Sequence, residues 1–267
     1  MSEGRTRGGA LESGLDVLEA LARHAAGIGV SDLAAELAMD KGNAHRLLQT
    51  LIRRGYVQQD QNTRRYRASA KLVSVAGSVL RRLDVRSASE DVCDELVELT
   101  HETVHASQMT SSGPVYILQR RAPFRVSVDT EVGSRPPMHA TATGKAVLAY
   151  IPEPDRSDWL TPPLERFTIR TITSPEALDR ELAADAERGY SIDDEEYNPG
   201  VRCIAAPVFG IDGAVAGCLG VSSPIHRMDV ARVPEVAAQL IDAARRVTEK
   251  LGGPVELHPT APVPPLN

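Results

Sequence analysis

The sequence predicts an α+β protein: an N-terminal winged helix-turn-helix, a linker helix and a C-terminal domain built on an antiparallel sheet. Three observations support this fold class. Three short helices with periodic apolar residues precede a basic two-strand segment within residues 11–70,. Another helical pattern covers 71–86. Over 87–253 the strands are joined by hairpin turns and interspersed with helices, which favours α+β over a parallel nucleotide-binding sheet,.

Composition places the chain among globular proteins of about two domains. It has 267 residues, of which 42% are hydrophobic and 25% charged,. No apolar run approaches the ~20 residues that span a bilayer, and the first residues lack the apolar segment of a secretory signal,. Three cysteines without CxxC spacing indicate a reducing compartment,. We therefore expect a cytoplasmic protein with no membrane partner, no cofactor and no metal.

Charge is distributed unevenly along the chain. Residues 1–86 carry a net charge of +5, whereas the remainder carries −11. Within 41–86 there are 11 basic residues and only two acids, Asp60 and Asp84. This asymmetry is typical of a polyanion-binding module joined to an acidic one, although a solvated basic face would give the same count.

The first 70 residues contain the signals that begin and end three helices. A leucine stripe from Leu11 to Leu21 indicates the first, and Ser31 is the expected N-cap of the second,. Asp40 is placed to cap the third, which Gly55 ends,. Two strands around a turn at 60–62 form the predicted wing,.

The third helix and the wing carry the candidate DNA-binding residues. Asparagine pairs with adenine, and arginine or lysine with guanine, in the major groove, while basic wing residues contact the phosphate backbone. The predicted contacts are Lys41, Asn43, His45, Arg46, Gln49, Arg64 and Arg65. A winged helix that only binds protein is the alternative.

Local signals also predict the elements of the C-terminal domain. They are a helix over 87–100, hairpins turning at 111–113 and 211–213, a strand near 125–129, a helix from Ala142 capped by Thr141, a helix ended by Gly189, and a long helix over 228–251,. The acidic run 193–196 is interpreted as a solvated turn, with an acid/base or metal cluster as the alternative. Residues 1–10 and 254–267 are expected to be disordered tails,.

Several motifs resemble the IclR family of bacterial transcription regulators. In the first domain they are SDLAAEL, KGNAHRLLQTL, RRGYV and RRYRAS; in the second, ETVH, VGSRPPMHATATGKAVLA, RGYSIDDEEYNPGVRCIAAPVF and LGVSSP. The resemblance implies a GAF-like effector domain and a dimer, or a dimer of dimers, that binds a double-stranded DNA operator and responds to a small metabolite. The chain departs from the family at Gly42 and Asn43, where small hydroxyl residues are usual, so base preference does not carry over.

A zinc metallopeptidase is the alternative of a different class. His101, Glu102 and His105 match HExxH, which in those enzymes places two ligands and a base on one helix,. Thr103 and Val104 favour a strand instead, and the family resemblance accounts for Glu102 and His105 without zinc,. The sequence therefore favours a regulator over an enzyme.

The resemblance also implies the effector-binding residues, namely Ala142, Thr143, Asp193, Cys203, Gly220 and Ser222. Free amides after Thr141 would suit a carboxylic acid. Gly220 stands where relatives that bind small oxo-acids carry serine, which predicts space for a larger ligand. Apolar walls are expected from Met109, Ile117, Val128, Met138 and Val201, since ligand pockets are largely apolar,.

Overall fold

Residues 9–72, 74–75 and 84–260 are described in the computed structural model of the protein, which divides into an N-terminal and a C-terminal unit between residues 82 and 83. The N-terminal unit contains α1 (Ala10–Arg23), α2 (Val30–Glu36), α3 (Lys41–Arg53) and the antiparallel pair β1 (Val57–Gln59) and β2 (Tyr66–Ala68). The apolar faces of all five elements meet in one core, built around Val17, Leu21, Leu33, Leu48, Val57 and Tyr66. The predicted winged helix-turn-helix is confirmed.

The ends of these helices agree only partly with the prediction. The carboxylate of Asp40 accepts from the Asn43 amide at 3.0 Å, so Asp40 caps α3 as expected. Ser31 is not the N-cap, because α2 begins at Val30, two residues earlier than a cap at Ser31 would place it, and its N-cap Gly29 has no side chain to donate or accept a hydrogen bond. Leu11 and Leu15 of the predicted stripe are 78% and 51% exposed, since the first turns of α1 extend beyond the core.

The predicted linker helix over 71–86 falls partly outside the described residues, which omit 73 and 76–83. Residues 71, 72, 74 and 75 are helical. Asp84 has extended backbone angles, and its carboxylate accepts from the Ser87 amide at 2.7 Å, which starts a new helix, α4 (Val85–Thr100). The predicted boundary after residue 86 is therefore wrong by two residues. The predicted N-terminal tail also ends earlier, since Ala10 already belongs to α1.

The C-terminal unit contains a five-stranded antiparallel sheet in the order β4-β3-β7-β6-β5. Its strands are β3 (Thr103–Thr110), β4 (Gly113–Arg120), β5 (Ser191–Asp194), β6 (Val201–Phe209) and β7 (Val215–Pro224). Sequence reasoning missed β5, and no strand forms near 125–129, where the chain has an irregular path.

Helices cover both faces of this sheet. On one face α4 and α7 (Val233–Lys250) pack on Ile204 and Ala206, whereas α5 (Ala142–Leu148) packs on Ala205. Successive residues of a strand point to opposite faces, so α5 lies on the other side. Beside α5 packs α6 (Pro175–Arg188), and Gly189 ends α6 in a left-handed conformation (φ 79°) as predicted. The mixed α+β class is confirmed. No helix in the described part of the chain has the length and apolar character that crossing a membrane would require.

The predicted C-terminal tail is ordered up to residue 260. Residues Val255–Leu257 form a 3-10 helix, and the buried His258 lies with Nε2 2.9 Å from Thr248 Oγ1. Pro259 then packs directly against Gly189, where a Cβ atom would lie 2.3 Å from the proline ring. The disorder predicted from 254 is therefore wrong for 254–260, because these residues contribute to the core of the second unit; 261–267 lie outside the described residues.

We expect His258→Ala to lower the free energy of unfolding by about 1–3 kcal/mol, because it removes a buried hydrogen-bond partner from Thr248 and a ring packed on Phe209. Urea unfolding measures this change. The exposed Glu256→Ala is the control, and equal stability of the two variants would contradict a packed C-terminal segment.

Candidate functional site

The N-terminal unit displays the predicted DNA-contacting side chains on α3 and the wing. Lys41, His45 and Arg46 are exposed, whereas Asn43 and Gln49 are half-buried. The guanidinium of Arg46 donates to Asn43 Oδ1 at 2.9 Å, so these two side chains are held together on one side of the helix.

The wing turn is ordered by Asp60, whose carboxylate accepts from the amides of Asn62 and Thr63, which lowers the pKa of Asp60. Arg64, at the end of that turn, is exposed with a left-handed backbone (φ 58°). Arg65 is exposed as well, and its guanidinium donates to the Gly27 carbonyl at 3.1 Å. Arg65 therefore ties the wing to the segment before α2, a structural role that the sequence did not indicate.

In the C-terminal unit a cavity of about 290 Å³ opens on the face of the sheet that carries α5. Five of the six predicted effector residues line it, namely Ala142, Thr143, Asp193, Cys203 and Ser222. Val128 and Val201 line it too, whereas Met109, Ile117 and Met138 pack in apolar clusters instead. The lining residues that sequence reasoning missed are mainly polar: His105, Tyr116, Asp129, Thr130, Glu131, Ser134, Arg135, Pro136, Thr141, Tyr197 and Asn198.

Gly220 has a different role from the one predicted. It pairs with His105 across β3 and β7, and a Cβ atom at residue 220 would lie 2.2 Å from His105 Nε2. The space left by the missing side chain is thus filled by an imidazole ring and not available to a ligand. The expectation that Gly220 enlarges the pocket is wrong, because register across the sheet puts a histidine there.

His105 is a neutral group in this cavity. Burial lowers the pKa of the His105 imidazole to about 4, since a charged ring would lose its hydration,. Its Nε2 lies 3.3 Å from Thr143 Oγ1, and its ring meets Tyr116 edge-on with the centroids 4.9 Å apart. The Tyr116 hydroxyl lies 3.5 Å from the same Thr143 oxygen. The three side chains form one polar wall without a net charge.

Asp193 is the buried acid of the cavity, with 3% of its surface exposed. Its Oδ1 accepts from the amides of Glu196 at 2.8 Å and Tyr197 at 3.2 Å. Burial outweighs these hydrogen bonds and raises the pKa of Asp193 to about 7. The acidic run is therefore no solvated turn, because Asp193 and Glu196 both point into the protein.

A buried ion pair lies close to Asp193, although neither of its residues lines the cavity. The ammonium group of Lys145, on α5, donates to Oε1 of Glu196, and both side chains are almost fully buried. The Glu196 amide in turn holds Asp193. The pair therefore links α5 directly to the end of β5, and it leaves Glu196 Oε2 without a hydrogen-bond partner in the described structure.

The start of α5 offers fewer free amides than predicted. Thr141 caps the helix as expected, but its hydroxyl accepts from the Gly144 amide at 3.1 Å, so that amide is not free. No group in the described ranges accepts from the amides of Ala142 and Thr143, which remain available at the cavity.

A larger cavity of about 410 Å³ lies on the opposite side of β5, beside Ile192 and Asp194. It contains none of the six predicted residues. Its two arginines, Arg170 and Arg202, both already pair with Asp194. We therefore place the candidate ligand site in the smaller cavity, which encloses polar groups that remain unpaired.

The HExxH match does not form a zinc site. His101 ends α4 with a left-handed backbone (φ 56°), whereas His105 lies on β3, so the two histidines do not share a helix. The buried Glu102 is held by Arg227 at 2.8 Å and Arg232 at 3.3 Å. Within the ranges that the structure describes, no three metal-binding side chains cluster. The metallopeptidase alternative is therefore wrong.

Family models match both units. "IclR helix-turn-helix domain" matches residues 10–61, and "Bacterial transcriptional regulator IclR C-terminal" matches residues 77–249. The regulator KdgR of Escherichia coli is 34% identical over 84% of this chain and 86% of its own length. The transcriptional repressor IclR of the same species is 31% identical over 91% and 90%. The crystal structure of Pseudomonas aeruginosa HmgR, at 27% identity, has a TM-score of 0.72 and covers 91% of this chain and 98% of its own.

A winged helix-turn-helix followed by an α+β domain of this kind defines a DNA-binding transcription regulator. More particularly, the chain belongs to the IclR family, as its motifs indicated. Because the matched relatives are regulators, the prediction of a regulator and not an enzyme is confirmed.

We expect Gly220→Ser to destabilise the protein by about 1–3 kcal/mol, because the added side chain overlaps the His105 ring,. Combining it with His105→Ala provides the space and should recover much of that loss relative to His105→Ala alone. Urea unfolding of the two single variants and the double variant measures the coupling. Strictly additive effects would show that Gly220 and His105 do not compete for one space.

Asp193 should make stability depend on pH. Its pKa is about 7 in the folded protein against an ordinary value of 3.8, so between these values the folded state holds a proton that the unfolded state releases. The contribution of Asp193 to the free energy of unfolding is therefore fully present below pH 4. It decreases by about 1.4 kcal/mol per pH unit as the pH rises towards 7.

Unfolding free energies between pH 5 and 8 test this slope. Asp193→Asn should remove it, whereas Asp158→Asn, at an exposed position, should leave it as in the wild type. The same slope in all three proteins would mean that Asp193 does not carry the proton.

Proposed function

We propose that this regulator binds its operator through α3 and the wing and is controlled by a small organic acid in the cavity of the second unit. We further propose residues 10–70 as the DNA-binding domain and 85–260 as a GAF-like effector domain. The observation that carries the proposal is the cavity in the unit that lacks the winged helix, whose lining residues are mainly polar. Since a bacterial operator lies in the cytoplasm, we also propose that the protein acts there.

On DNA, α3 would enter the major groove and the wing would contact the backbone. The exposed Lys41, His45 and Arg46 support this orientation. Asn43, with Gln49 one and a half turns further on, would contact base edges, and the Arg46 guanidinium would hold the Asn43 amide in place,. Arg64 would contact phosphate, and Arg65 would do so while supporting the wing from behind,.

For the effector, the free amides of Ala142 and Thr143 offer hydrogen bonds to a carboxylate. Hydroxyl groups of Thr143 and Ser222, together with Cys203 and Asn198, suit polar groups on the rest of the ligand. The cavity volume of about 290 Å³ stands at the lower end of the roughly 300–1,000 Å³ usual for small-molecule sites,. It therefore suits a small acid, and the space expected from the sequence at Gly220 is not part of it.

The assembly that we propose is a dimer or a dimer of dimers. Helix-turn-helix regulators commonly bind two half-sites about one DNA turn apart through a two-fold axis. The exposed Leu11 and Leu15 of α1 supply apolar surface that such a contact would cover. Whether the protein represses or activates transcription depends on the position of the operator relative to the promoter.

The DNA half of this proposal is tested by gel shifts on the region upstream of the neighbouring genes. The logarithm of affinity should fall linearly with the logarithm of salt, by about 0.9 per phosphate neutralised. Arg64→Ala should weaken binding to all sequences and flatten the slope, while Asn43→Ala should relax preference at particular base pairs. Arg245→Ala, an arginine of the second unit, is the matched control. Affinity that is indifferent to salt and to both substitutions would contradict DNA binding through this face.

A further inference from the structure

Among the described residues that line the cavity, Asp193 is the one buried carboxyl; the other two, Asp129 and Glu131, are exposed. We propose that Asp193 binds the effector's carboxylate through one shared proton, so that binding takes up a proton from solution. This inference rests on the proposed function, because it presupposes an acid in this cavity.

The geometry leaves Asp193 one free oxygen. Amides of Glu196 and Tyr197 donate to Oδ1 and fix the plane of the carboxyl group. No lysine, arginine or histidine of the described chain forms an ion pair with Asp193, and no described group donates to Oδ2. Lys145, the cation that acts on Asp193 from α5, is already paired with Glu196. A second anion at this wall would therefore meet an uncompensated negative charge.

The groups on the neighbouring strands do not supply a positive charge. His105 on β3 has its pKa lowered by burial and is neutral. Burial raises the pKa of Tyr116 on β4, so its hydroxyl is neutral. Burial also raises the pKa of Cys203, which lies on β6 opposite Asp193 of β5, so this thiol is neutral as well.

At the rim, Arg135 is one cation beside the two exposed carboxyls, Asp129 and Glu131. Arg135 donates to the Ser112 carbonyl at 2.9 Å, and Asp129 already accepts from Arg121 at 2.8 Å. The rim therefore carries no surplus of positive charge that could hold two adjacent carboxylates in their ionised forms.

A proton removes this conflict. Two carboxyl groups in contact within a shielded site cannot both ionise, so one holds a proton and donates it to the other. Oδ2 of Asp193 would carry the proton, and one carboxylate oxygen of the effector would accept the hydrogen bond. The other carboxylate oxygen would accept from the amides of Ala142 and Thr143, which line the same cavity. When Asp193 is ionised in the free protein, the binding of one acid anion therefore takes up one proton from solution.

This linkage sets the expected pH dependence. Below pH 6 Asp193 already holds its proton, and affinity should not change with pH. Above pH 7 each pH unit should weaken binding about tenfold, because one proton must be taken up at falling concentration. The pKa of Asp193, about 7 in the free protein, places the change near neutral pH.

Isothermal titration calorimetry tests the proposal on the full-length protein with the sodium salts of gluconate, benzoate and pyruvate. Titrations at pH 6, 7 and 8, in phosphate and in imidazole, which both buffer in this range and differ in ionisation enthalpy, give both the affinity and the number of protons taken up. For the acid that binds best, the wild type should take up nearly one proton at pH 8 and none at pH 6. Asp158→Asn, an exposed aspartate remote from the lining residues, should behave as the wild type.

Asp193→Asn keeps an oxygen for the two amides and presents a permanent donor in place of the acid. It should bind the same acid with no proton uptake and with affinity independent of pH. Should this variant fail to fold, the carboxyl carbon-13 shift of Asp193 in the wild type replaces it, and that shift should indicate a protonated group in the complex at pH 8.

Three results would contradict different parts of the proposal, namely the shared proton, the role of Asp193 and the acid effector. An acid that binds equally well from pH 6 to pH 8, without proton uptake, overturns the shared proton and leaves the effector class intact. Proton uptake that persists in Asp193→Asn assigns the proton to another group and overturns the role of Asp193. If none of the three acids binds while neutral glucose or benzyl alcohol does, the acid effector itself is overturned, and the shared proton with it.

Discussion

The ion pair between Lys145 and Glu196 is the interaction on which the candidate ligand site depends. Both side chains are buried, so each needs the other to compensate its charge, and removing one partner of such a pair typically costs about 3–5 kcal/mol,. Through it the helix that forms one wall is held against the end of β5. The same turn presents the Glu196 amide to Asp193, and hydroxyls of Thr168 and Thr171 donate to the carbonyl of Glu196. Wall, turn and buried acid therefore form one connected unit.

Features encoded locally were predictable from the sequence. The structure has the predicted N-caps at Asp40 and Thr141 and the predicted helix end at the left-handed Gly189. Each of these features depends only on neighbours within a few residues. The strand β5 was missed because its aspartates are typical of solvated turns. Its alternation nevertheless places Asp193 in one cavity and Asp194 in the other,.

Features that depend on distant residues could not be predicted in this way. The sequence predicted space for a ligand at Gly220, but the pairing of β3 with β7 places the His105 ring over this residue. The register that does so is fixed only when the two strands pair. Glu102 appeared within a metal-binding motif, yet its partners Arg227 and Arg232 lie 125 and 130 residues further along the chain. In both cases the residue type was informative, and the tertiary contact decided its role.

The short helix α5 is held at its start and at its middle. Thr141 closes its start by accepting from Gly144 and donating to the Pro137 carbonyl, while Lys145 anchors its middle. A seven-residue helix alone would fray in water,. Because α5 is anchored in this way, it loses its conformational entropy when the protein folds. The binding of a ligand to this wall would therefore not have to order the helix. Opposite it, residues 121–136 form neither helix nor strand and supply the rim. In the proposed complex, the rim would adapt to ligands of different outline, and the wall would recognise the chemical group that those ligands share.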